Sequence, residues 1–201
     1  MKVQGEATRA RQLARSITPI DYATLLSGFS EKERQSFERQ VLAYETALGA
    51  GSADAWRRLT CVLKTLTPSP AKLSSSHTVQ FYIPDGKYRK QVFAIHGTED
   101  GTLTIYARDI LADAIREGIL GKPHRGDTDN TYRLGKSGET LMIEPLDGKT
   151  PNPDLFYKDM TGWNRKAIRI TLPAKATESQ IGAVEQICLL AATEWTAASP
   201  E

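Results

Sequence analysis

The apolar residues of this chain change their spacing once, and the change divides it. As far as residue 66 they recur at helical intervals, and from residue 77 onward many of them alternate with polar residues. Phe37, Val41, Tyr44 and Leu48 share one helical face, introduced by Ser30 and Glu33 at capping-box spacing and ended by Gly49 and Gly51. A second helix is expected over residues 52–66, with Trp56, Leu59, Leu63 and Leu66 as its stripe and Pro68 and Pro70 beyond it. Upstream, Thr18-Pro19-Ile20-Asp21 reads as a helix start with Pro19 at the first helical position. The residues before it carry little periodicity.

Residues 67–77 are polar and broken by Pro and Ser, which makes them the best linker in the chain. Val79, Phe81 and Ile83 then alternate with Gln80 and Tyr82, and Asp85-Gly86 offers the positive backbone angles of a tight hairpin. The return strand, residues 88–96, contains Val92, Phe93, Ala94 and Ile95 in succession, a run that suggests a central strand covered on both faces. Asp100-Gly101 marks another turn before Leu103, Ile105 and Ala107, so the three strands form an antiparallel meander.

Ile110, Leu111, Ala114 and Ile115 predict a helix of about ten residues that ends near Gly118. A polar connection over residues 118–131 follows. A hairpin joins residues 132–134 to 140–144 through Gly135-Lys136-Ser137-Gly138. Ile168, Ile170 and Leu172 alternate with Arg169 and Thr171 in the last strand, as suits a strand with one solvated face. Thr177 and Gln180 cap a terminal helix along which Ile181, Val184, Cys188, Ala191 and Trp195 trace one stripe. These elements specify an α+β fold: an antiparallel sheet of about five or six strands, packed by helices. Residues 1–66 form a helical section packed on the main domain, and residues 77–197 form the sheet with its terminal helix.

Composition narrows the classes little. With 40% hydrophobic residues, 25% charged residues and a formal charge of +2, the chain is neither disordered nor basic enough to name nucleic acid as a partner. No apolar run of membrane-spanning length occurs, and no apolar stretch follows Arg9, Arg11 and Arg15 as a signal peptide requires. Cys61 and Cys188 sit among apolar neighbours, as structural thiols do. A cytoplasmic location is the default expectation.

From residue 77 the order of elements is a meander, a helix, more sheet, then Gly162-Trp163-Asn164-Arg165-Lys166-Ala167-Ile168-Arg169-Ile170 and a closing helix. Over residues 77–197 this outline resembles the small α+β domains of the YjbR/MmcQ group, in which a Trp often precedes the last strand. It is also similar to the YdhG-like group with its frataxin-like arrangement. The resemblance implies an open-faced antiparallel sheet backed by helices, with DNA binding or ligand or metal handling suggested for such domains. It carries over no catalytic residue.

Several short strings invite chemistry and fail on spacing. Gly135-Lys136-Ser137 lacks the earlier Gly of a phosphate loop, since position 130 is Asn, and it reads instead as a hairpin turn. His77, His96 and His124 have no partner at metal-ligand spacing, and Asp127-Thr128-Asp129 lacks the rest of a calcium loop. No catalytic residue, metal site or cofactor is assigned on these grounds.

The most suggestive pattern interleaves basic residues with aromatics. Lys87, Arg89 and Lys90 accompany Tyr82 and Tyr88 at the first hairpin, and Arg165, Lys166 and Arg169 accompany Trp163 at the last strand. On one face these cations could hold an anion while the rings stack on a ligand. The leading expectation is therefore a non-enzymatic binding or interaction module for an anionic ligand or a protein partner, with no membrane role. One alternative is an enzyme acting on a small phosphorylated or carboxylated molecule with His96 or His124 as general base. Another is weak nucleic-acid binding.

Overall fold

A computed structural model describes residues 18–48, 50–67, 71–73, 78–85, 88–96, 101–107, 109–121, 130–135, 137–146, 167–173 and 175–197. Among these residues the helices are α1 (Tyr22–Ser27), α2 (Glu31–Leu48), α3 (Ala50–Leu66), α4 (Ile110–Arg116) and α5 (Glu178–Ala197). The strands are β1 (Lys72–Leu73), β2 (Thr78–Asp85), β3 (Tyr88–His96), β4 (Thr102–Ile105), β5 (Thr131–Arg133), β6 (Thr140–Leu146) and β7 (Ala167–Thr171). They form one antiparallel sheet in the order β1-β2-β3-β4-β7-β6-β5, so the fold is α+β with a helical N-terminal section.

Local chemistry explains most of the boundaries. Ser30 and Glu33 close the expected box at the start of α2, where the Ser30 amide donates to the Glu33 carboxylate at 2.9 Å and the Glu33 amide to the Ser30 hydroxyl at 3.4 Å. Thr177 and Gln180 do the same for α5. The first helix begins later than the sequence suggests. Asp21 caps it, accepting the Thr24 amide at 2.7 Å, and Pro19 lies outside. A carboxylate satisfies an orphan amide of the first turn, which proline cannot do. Gly51 lies inside α3 and does not end α2, and α4 has only seven residues. Gly118, with φ +72, turns the chain just beyond α4, in a backbone region that glycine enters without strain.

Sheet order departs from a purely local arrangement at one place. The meander β2-β3-β4 and the hairpin β5-β6 form as expected, and β7 inserts between β4 and β6. The last strand is therefore central, with Ile170 opposite Leu103 on one side and Ile143 on the other. Gly135 and Ser137 lie in the turn between β5 and β6, beyond the pair Arg133 and Thr140, and Lys136 lies outside the described residues. A Cβ at Gly135 would lie 2.6 Å from the Gly118 carbonyl oxygen, so the backbones meet there too closely for any side chain.

The consecutive run Val92-Phe93-Ala94-Ile95 lies, as expected, in an inner strand buried on both faces, and a bulge contributes to it. Phe81 pairs with Phe93, but Tyr82 pairs with Gln91, leaving Val92 as an extra residue. This β-bulge directs both Val92 and Phe93 into the helix-covered core, with Ile95 following at its normal alternation. Ala94 belongs to the other face.

That core joins both halves of the chain. Leu25, Phe37, Val41, Trp56, Leu59 and Leu63 of the helical section pack in one cluster with Phe81, Phe93, Leu103, Ile105, Ile143 and Ile170 of the sheet, and with Val184, Ile187 and Ala191 of α5. Cys61 and Cys188 are free, buried thiols, and burial pushes both up from their ordinary pKa. Among the described residues no helix is long and apolar enough to cross a membrane.

Candidate functional site: the polar face of the sheet

Side chains alternate across a pleated sheet, so the strand pairing divides the residues between two faces. Val79, Phe81, Phe93, Ile95, Leu103, Ile105, Ile168, Ile170 and Ile143 belong to the helix-covered face. The opposite face carries Thr78, Gln80 and Tyr82 on β2, Gln91, Ala94 and His96 on β3, Thr102 and Thr104 on β4, Arg169 and Thr171 on β7, and Met142 and Glu144 on β6. This face is polar, yet at its centre it is closed to solvent: Ala94 and Thr104 have no exposed surface, Gln91 has 5% and Thr78 6%.

His96 is the titratable group at the heart of it. Its Nδ1 lies 3.3 Å from the Thr78 hydroxyl on β2 and its Nε2 lies 3.3 Å from the Thr104 hydroxyl on β4. Thr78 stands directly opposite His96, whereas Thr104 is diagonal to it, because His96 pairs with Thr102. A neutral imidazole has one donor and one acceptor nitrogen, and an imidazolium has two donors. A hydroxyl can donate or accept. The two threonines therefore hold the ring in the same orientation in every protonation state.

The polar row continues across the sheet. Thr104 is directly opposite Arg169 on β7, and Arg169 is directly opposite Glu144 on β6, their charged groups 3.5 Å apart. On the other side, Lys72 of β1 faces Gln80, its ammonium 5.6 Å from the Tyr82 ring centroid, and the Tyr82 hydroxyl donates to Gln80 at 2.8 Å. Residues Thr78, Thr104, Gln91 and Lys72 carry this site with no prior signal beyond period-two spacing. Thr102 and Thr104 alternate with the apolar Leu103 and Ile105, and the pattern directs attention to the apolar members.

Of the six cations expected to cluster, Lys90 and Arg169 have described side chains. Arg169 is on the polar face and paired with Glu144. Because of the bulge, Lys90 pairs with Ile83 and falls on the helix-covered side, while Arg89 pairs with Pro84. Tyr88 pairs with Asp85 at the end of the hairpin, and Tyr82 is half-buried on the polar face. Lys87, Trp163, Arg165, Lys166, His77 and His124 lie outside the described residues. No group of three metal-ligating side chains converges among the described residues. Compared with protein-family models, curated proteins and solved structures, the chain matches none of them.

Proposed function

We propose that the protein works at the polar face of its sheet, as an enzyme acting on a small phosphorylated or carboxylated molecule with His96 as its proton-handling group. The observation that carries this reading is the bracketing of His96 by Thr78 and Thr104 on a polar face that solvent does not reach at its centre. Burying hydroxyls, an amide and an imidazole away from the hydrophobic core costs stability unless they are well paired, and pairing fixes their geometry. A ring held through both protonation states can take up and return a proton without moving, and Thr104 or Thr78 can relay it. Arg169, directly opposite Thr104, supplies the positive charge for an anionic substrate group, with Glu144 holding the guanidinium in place beforehand. The same face used for binding without chemistry is the second reading, supported by the Lys72–Tyr82 contact.

The test is a titration of the isotope-labelled protein with methyl phosphate and with acetate, following the His96 imidazole by NMR, together with turnover of a panel of phosphate and carboxylate esters. Binding should shift the His96 signals. His96→Gln should lower turnover by about 100-fold or more, and Arg169→Gln should weaken binding. An unmoved His96 signal, or turnover unchanged in His96→Gln, refutes the catalytic reading.

A further inference from the structure

The polar face holds a second cluster at the other end of β3. Gln91 lies five residues before His96, roughly 14–16 Å along the strand. The residue is 5% exposed, and its side-chain carbonyl oxygen Oε1 is buried with no hydrogen-bond partner. A buried acceptor left without a donor destabilises the fold that contains it.

The bulge explains how this amide arrives there. In unbroken alternation from Phe93, Gln91 would fall on the helix-covered face. The extra Val92 re-aims it, so that Gln91 pairs with Tyr82 on the polar face. Bulges of this kind are over-represented beside functional sites, where they redirect one side chain. On the far side of Tyr82 stands the Lys72 ammonium, 5.6 Å from the ring centroid. Lys72 is exposed and Tyr82 half-buried. An orphan acceptor and a cation therefore flank one aromatic ring across three neighbouring strands.

From this arrangement we infer that Lys72, Tyr82 and Gln91 form a ligand-binding site for a small molecule joining a hydroxyl donor to an anionic group. The hydroxyl donates to Gln91 Oε1, the carbon skeleton rests against Tyr82, and the anion meets Lys72 in place of the ring. The site does not depend on the proton-handling role of His96.

Three probes separate the contributions in NMR titrations of the labelled full chain: glycerol, methyl phosphate and glycerol 1-phosphate. Glycerol 1-phosphate should shift the Gln91 side-chain amide and the Tyr82 backbone amide, and bind about tenfold more tightly than either single-function probe. Gln91→Met should erase that advantage with an unchanged or higher melting temperature, because it removes an unsatisfied acceptor. Lys72→Gln should reduce glycerol 1-phosphate to the affinity of glycerol. The site is overturned if no probe moves Gln91, if Gln91→Met binds glycerol 1-phosphate as tightly as the parent, or if that variant melts at a clearly lower temperature. Movement at His96 with methyl phosphate, without movement at Gln91, overturns this site and leaves the histidine reading standing. The reverse result does the opposite.

Discussion

Arg58 on α3 grips Glu185 on α5 at two points, Nε to Oε1 at 2.6 Å and Nη2 to Oε2 at 2.9 Å. Its remaining terminal nitrogen, Nη1, donates to Glu178 at 2.7 Å. These bonds raise the guanidinium pKa further above its already high value. They also tie the helical section to the terminal helix. Arg58→Ala should cost about 0.5–1 kcal/mol, since the contact is two-pronged but partly exposed. A double-mutant cycle with Glu185→Ala measures the coupling, which should shrink in 1 M salt as screening increases.

The shared core predicts one unfolding transition. Leu59 has no exposed surface and lies in the cluster that also contains the sheet residues Phe81 and Phe93. Leu59→Ala should cost about 2–5 kcal/mol and lower the stability of helices and sheet together. Far-UV circular dichroism and tryptophan fluorescence followed through urea should give coincident transitions. Loss of helical signal while the sheet persists would show two independent units.

Acid should loosen the beginning of the helical section first. The Asp21 carboxyl is held below its ordinary value by the Thr24 amide and hydroxyl, and that of Glu33 by the Ser30 hydroxyl and amide. A group whose pKa is lower in the folded state binds fewer protons there than in the unfolded state. Its stabilisation is complete above the unfolded value and is lost as pH falls through the folded one. Below about pH 4, α1 and the start of α2 should lose amide protection. Asp21→Asn and Glu33→Gln should remove most of that pH dependence in hydrogen-exchange profiles.

Deleting the extra residue of the bulge should leave the facing of β3 unchanged. Without Val92, Gln91 stands next to Phe93 and still pairs with Tyr82, so Gln91 keeps the polar face and Lys90 keeps its pairing with Ile83. The deletion should cost about 2 kcal/mol from the lost burial of Val92, close to the cost of Val92→Ala, which keeps the bulge. Urea denaturation of the two variants gives the comparison, and a deletion that costs at least about 3 kcal/mol more than Val92→Ala would mean that the facing of Gln91 depends on the bulge itself.

Much of the fold was legible because local rules govern it. The capping residues Ser30, Glu33, Thr177 and Gln180 act within one turn, and Asp85 and Gly101 stand where the meander turns. The candidate site was far less legible. His96 was visible as a histidine, but its partners Thr78 and Thr104 lie 18 and 8 residues away in the chain and meet it only through strand pairing. Arg169 was visible as a cation, while its tie to Glu144 depends on β7 lying beside β6.

The sequence by itself determined the helices with their caps, the alternating strands and the antiparallel character of the sheet. These follow from periodicities and hydrogen bonds between residues close in the chain. Only the tertiary structure decided which strand lies beside which, and which face each side chain joins. The extra residue Val92 puts Gln91 on the polar face, and the insertion of β7 lines up Thr104, Arg169 and Glu144. The physical reason is that register and strand order are set by the burial of one whole face at once, a sum over all seven strands.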